Sequence, residues 1–112
     1  MMSEAADELA SRIRAQIGLL PGITEQKMFG GVAFMLDGNM LVGPLNDGGL
    51  LARVGKDAYQ DALTQPGASP MMFTGREMPG FVEVRGEGIE TDEDLAEWIE
   101  QSRRFVITLP KK

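Results

Sequence analysis

A chain of 112 residues, 43% of them hydrophobic and 25% charged, is expected to form one globular domain with a single core. It has no cysteine and no histidine, which excludes a disulfide framework, a thiol nucleophile, thiolate or imidazole metal ligands and the commonest general base. A formal net charge of −6 opposes non-specific contact with a nucleic-acid backbone, and no apolar run approaches the length of a membrane span.

The N-terminus is acidic and Ala-rich and lacks the basic start and apolar core of a signal peptide, so the expected location is the cytoplasm. Residues 3–19 read as a helix. Ser3 is placed to cap it, and Ala6, Leu9, Ala10, Ile13 and Ile17 recur at helical spacing. Arg12 and Arg14 fall off that stripe and read as a solvated face, and Pro21-Gly22 stops the helix.

Residues 23–29, 32–36, 40–45 and 50–54 read as four strands in an antiparallel meander. Asp37-Gly38-Asn39 is a hairpin signal, because these residue types tolerate the positive φ of a tight turn. Gly30-Gly31 is a candidate bulge, and Pro44 places the end of the third strand at an edge or bulge. In the second strand Val32, Phe34 and Leu36 share one face, and Ala33 and Met35 share the other. Both faces are apolar, which predicts a central strand.

Residues 55–65 read as a short helix ended by Pro66-Gly67. Met71–Phe73 is a short strand, Thr74-Gly75-Arg76 a turn, Met78-Pro79-Gly80 another turn, and Phe81–Arg85 the last strand. Residues 92–108 are the clearest helix. Thr91 caps it, acidic residues fill its first turn, Arg103 and Arg104 lie near its end, and Leu95, Trp98, Ile99, Ser102 and Val106 form its stripe. The order α-β-β-β-β-α-β-β-α predicts an α+β domain over residues 1–112, with five to six antiparallel strands and the helices mainly on one face.

Chemistry-bearing patterns are few. Ser3, Ser11, Ser69 and Ser102 have no histidine to activate them, and Asp92-Glu93-Asp94 is explained by the helix dipole rather than by a metal. No catalytic residue, cofactor site or metal site is assigned. Lys27, Arg53 and Arg76 each sit in or beside a strand near glycine. Convergence would make them an anion or partner-binding site; the alternative is ion pairing with the protein's own carboxylates. Eight methionines suit an irregular core and also an adaptable contact surface. Phe29, Met35 and Leu51, with Ala33, should lie on the sheet face away from the helices. There they form a candidate interface for a homodimer or another protein.

Six stretches occur in an order that resembles the N-terminal domain of the TfoX/Sxy proteins. They are Lys27-Met28-Phe29-Gly30-Gly31-Val32, Asp37-Gly38-Asn39-Met40, Leu51-Ala52-Arg53-Val54-Gly55, the run from Pro70 to Met78, Gly80-Phe81-Val82, and the Trp98 helix ending at Leu109-Pro110. The resemblance implies a fold similar to type III secretion chaperones. Full-length members of that family regulate natural competence in bacteria, act with the cyclic-AMP receptor protein, and carry a second, C-terminal domain. This chain stops where that domain would begin and so resembles the stand-alone form. The family brings no agreed catalytic residues.

The expected function is therefore a non-enzymatic regulatory or adaptor domain acting through protein–protein contacts in transcriptional regulation. The alternatives are a small-molecule or anion-binding domain using Lys27, Arg53 and Arg76, and a direct DNA-binding regulator. The acidic balance and the lack of a basic stripe argue against the last.

Overall fold

The computed structural model describes residues 2–28 and 31–112. They form an α+β domain in which one six-stranded antiparallel sheet carries three helices. The elements are α1 (Glu4–Ile17), β1 (Ile23–Met28), β2 (Gly31–Leu36), β3 (Asn39–Pro44), β4 (Leu50–Arg53), α2 (Tyr59–Leu63), β5 (Ala68–Phe73), β6 (Arg76–Val84) and α3 (Asp92–Val106). A short 3₁₀ turn, Gly86–Gly88, precedes α3.

Local chemistry sets most of these boundaries. Ser3 Oγ accepts from the Ala6 amide at 3.0 Å and starts α1, and Thr91 Oγ1 accepts from the Asp94 amide at 3.0 Å and starts α3. Asp37 (φ 50°) and Gly38 (φ 84°) form the two-residue turn between β2 and β3, the geometry that matches strand twist. No helix of the described residues is long and apolar enough to cross a membrane.

The sheet order is β1-β2-β3-β4-β6-β5. The first four strands form the expected meander, and β6 comes next so that β5 takes the far edge. Phe34, Val42, Ala52 and Val82 are linked by cross-strand pairing and so face the same side. They are fully buried against Ile13 of α1 and Leu95 and Trp98 of α3, with Tyr59 and Ala62 of α2 in the same core. All three helices thus cover one face. At its end the chain clips to the β2–β3 turn: the Lys112 amide donates to the Asp37 carbonyl at 2.9 Å, and Asn39 Nδ2 to the Pro110 carbonyl at 2.9 Å.

Several details differ from the pattern reading. Phe29 and Gly30, the first residue of the candidate Gly30-Gly31 bulge, lie outside the described residues; an unanticipated bulge lies between β2 and β3, where Phe34 pairs with Val42 and Met35 with Met40, so Leu41 is the extra residue. Leu41 and Val42 both enter the core as a result, which period-two alternation does not anticipate. The middle helix begins only at Tyr59, because residues 56–58 are a turn. Met78-Pro79-Gly80 is not a turn between strands. It lies within β6, in a stretch where pairing to β5 is interrupted between Val82 and Glu77. Gly80 has φ 96°, and its carbonyl accepts from both the Val54 and Gly55 amides, at 2.8 and 3.0 Å.

The face without helices carries the residues of the candidate interface. Met35 is only 7% exposed and Ala33 3%, and Leu51 is half-buried. The single chain already covers the two side chains expected to offer a dimer surface. Phe29, the remaining member of that candidate interface, lies outside the described residues.

Candidate functional site

The three candidate cations are spread across the sheet. Lys27 is on β1 at one edge, Arg53 ends the more central β4, and Arg76 begins β6 at the tip of its hairpin with β5. Lys27 lines a cleft of about 850 Å³ between α1 and the β1–β2 hairpin. Arg53 lines a separate cleft of about 580 Å³, and Arg76 lines neither. β2 and β3 stand between Lys27 and Arg53, and Arg76 lies at the hairpin end of β6, away from the Phe81 that pairs with Arg53, so the three form no common site.

The α1 cleft is electrostatically balanced. Arg14 donates to both carboxylate oxygens of Glu25 at 2.7 Å, and Asp7 and Lys27 complete its charged lining. The hydrogen bonds from Arg14 hold the Glu25 carboxyl below the usual range, and those bonds raise the Arg14 guanidinium in turn. Arg14 also lies 5.9 Å from the centroid of the Phe34 ring. Neither of the two helix arginines is idle: Arg12 Nη2 donates to the Ile89 carbonyl at 2.8 Å and the Thr91 carbonyl at 3.2 Å, tying α1 to the start of α3.

The second cleft is unlike the first. It opens where β4 stops, between residues 53–58, the Pro79-Gly80-Phe81 stretch of β6 and the last turns of α3. Arg53 pairs with Phe81 across β4–β6, and its guanidinium carbon lies 5.6 Å from the ring centroids of both Phe81 and Phe105. Its closest polar contact is long, from Nη1 to the Met40 carbonyl at 3.4 Å. Among the described residues no carboxylate lies within ion-pair distance of Arg53, whereas Arg12, Arg14, Arg85, Arg103 and Arg104 each have at least one. Lys56 and Arg104 also line the cleft, against a single carboxylate, Asp57.

Glycine makes this cleft possible. A Cβ on Gly55 would stand 2.3 Å from the Phe105 ring, and Gly55 has φ 84°. Among the cleft residues, the sequence singles out Arg53 as a candidate cation but not Phe81, Arg104 or Phe105. The signal that could have found Phe105 is an aromatic residue beside the apolar stripe of α3, next to a run of two arginines.

A third surface feature is the β5–β6 hairpin arm. Thr74 (φ 49°) and Gly75 (φ 81°) turn it, and Met72 and Phe73 stand 52% and 62% exposed near its tip. The Tyr59 hydroxyl donates to Glu77 Oε2 at 3.1 Å and anchors the arm to α2. Burial, with the Glu77 hydrogen bond second, pushes the Tyr59 hydroxyl pKa up.

Comparison with known proteins matches the chain to the family model described as the TfoX N-terminal domain, over residues 15–106. That span runs from the end of α1 through α3 and includes all six strands. No curated protein and no solved structure matches the chain.

Proposed function

The chain belongs to the TfoX N-terminal domain family, and from that membership we propose that it is a non-enzymatic regulatory or adaptor domain working through protein–protein contacts in transcriptional regulation. The observation that carries the reading is the family match over residues 15–106, in a family associated with competence regulation.

Two features of the molecule support it. The arm on the edge of the sheet exposes Phe73 and Met72, large apolar side chains of the kind that protein contacts bury. The net charge of −6 disfavours the phosphate contacts on which duplex DNA binding depends.

Affinity capture with the tagged chain from the source organism, with and without DNase, tests the reading. A specific protein recovered in both conditions and lost with Phe73→Asp is the expected result. Recovery that disappears with DNase would overturn it. So would salt-sensitive, sub-micromolar binding of the isolated chain to one promoter over random duplex in fluorescence anisotropy.

A further inference from the structure

We propose that the cleft at the end of β4 binds a small organic anion, with Arg53 receiving a carboxylate or phosphate group and Phe81, Phe105 and Pro79 walling its apolar body. This goes beyond the protein-contact reading and does not rest on it. It would make the domain responsive to a metabolite, and either idea can fail alone.

The first reason is the state of Arg53. A guanidinium carries five N–H donors in a planar fork, and among the described residues the only acceptor within reach is one carbonyl at 3.4 Å. The side chain is half-buried, so water solvates it incompletely, and the flanking rings of Phe81 and Phe105 stabilise its charge without satisfying those donors. The chain has 17 acidic residues and supplies none of them to Arg53 among the described residues, although five other arginines are paired. A bidentate oxyanion is the ligand chemistry that fits such a fork.

The second reason is the surroundings. Among the residues lining the cleft, Arg53 and Lys56 face the single carboxylate Asp57, and Arg104 adds a third cation at the rim, on a strongly acidic molecule. Arg104 is held only loosely by Glu97 and Glu100, at 3.8 and 3.7 Å, and can turn toward a ligand. The cleft volume of about 580 Å³ lies in the range of small-molecule sites. The α1 cleft is larger but has its own Arg14–Glu25 pair, so it offers no comparable unpaired fork.

Calorimetric titration of the whole chain with four probes separates the requirements: phenyl phosphate, phenylacetate, inorganic phosphate and benzyl alcohol. The two aromatic anions are expected to bind at least about tenfold more tightly than inorganic phosphate, which lacks the apolar body, and than benzyl alcohol, which lacks the charge. Amide shifts in ¹⁵N-correlated spectra should centre on Gly55, Gly80 and Phe81. Arg53→Met should weaken phenyl phosphate about tenfold or more, and Arg53→Lys should restore part of the loss. If Arg53→Met fails to fold, the exposed pair Lys56→Ala with Arg104→Ala should still weaken binding several-fold. The proposal is overturned if neither aromatic anion binds at millimolar concentration, or if benzyl alcohol matches phenylacetate. Inorganic phosphate matching phenyl phosphate, or shifts confined to residues around Arg14 and Lys27, would equally sink it.

Discussion

Single side chains divide this molecule into those whose role follows from burial and those whose role follows from partners. Trp98 is 3% exposed in the core between α3 and the sheet, so Trp98→Ala should cost about 3–5 kcal/mol in chemical denaturation. A loss below about 1 kcal/mol would mean that the indole is not a core group. Ser102 sits on the same helix, fully buried, and its hydroxyl has no hydrogen-bond partner among the described residues. An unsatisfied buried hydroxyl keeps its desolvation cost without compensation, so Ser102→Ala should be neutral or stabilise by up to about 1–3 kcal/mol. A clear fall in melting temperature would show that the hydroxyl has an acceptor in solution. Arg53 is the opposite case, a cation placed between two rings while its neighbours in sequence, Ala52 and Val54, take conventional core positions.

At the scale of elements, side-chain bonds between α1, the strands and their loops give stability that depends on pH. Arg14 bridges α1 to Glu25 of β1. The Gly49 amide, and second to it Arg85, holds the Asp47 carboxyl below its ordinary range in the loop between β3 and β4. A carboxylate whose folded pKa is depressed contributes stability above its unfolded pKa, and that contribution is lost as pH falls through the folded value. The chain should therefore lose stability progressively as pH falls below the ordinary carboxylate range. Glu25→Gln and Asp47→Asn should each flatten that acid slope in melting curves taken across pH. Both groups are well exposed, so each effect should be modest. An unchanged acid slope in both variants would show that these contacts do not persist in solution.

On the scale of the whole molecule, the decisive point is how far one chain encloses the second face of its sheet. The helices cover one face, and on the other Met35 pairs with Met40 across the β2–β3 ladder and is nearly inaccessible. Met35→Asp would bury an uncompensated carboxylate, so it should unfold the chain or lower its melting temperature sharply, with loss of helical circular dichroism. A Met35→Asp chain that keeps its helicity and only changes mass in light scattering would restore the two-fold dimer over this face. With Met35 and Ala33 enclosed, the large exposed apolar groups include Met72 and Phe73 on the arm, so association is better sought at that edge.

Sequence by itself determined the elements and their order, because helix stripes, caps and turn residues are local chemistry. Ser3, Thr91 and the Asp37-Gly38 turn do what their residue types dictate, and Ile13, Phe34, Leu95 and Trp98 are buried as their spacing demands. The six quoted stretches likewise identified the family. Tertiary structure alone decided which distant residues meet. The insertion of β6 between β4 and β5 puts Arg53 beside Phe81, while β2 and β3 stand between Arg53 and Lys27, and Arg76 lies away from Phe81 at the hairpin end of β6. The packing of α3 brings the Phe105 ring centroid within 5.6 Å of the Arg53 guanidinium carbon, although the two residues are far apart in the sequence. A cation's partner is set by the three-dimensional path of the chain, and residue spacing carries no record of that path once two elements are joined through strands and loops.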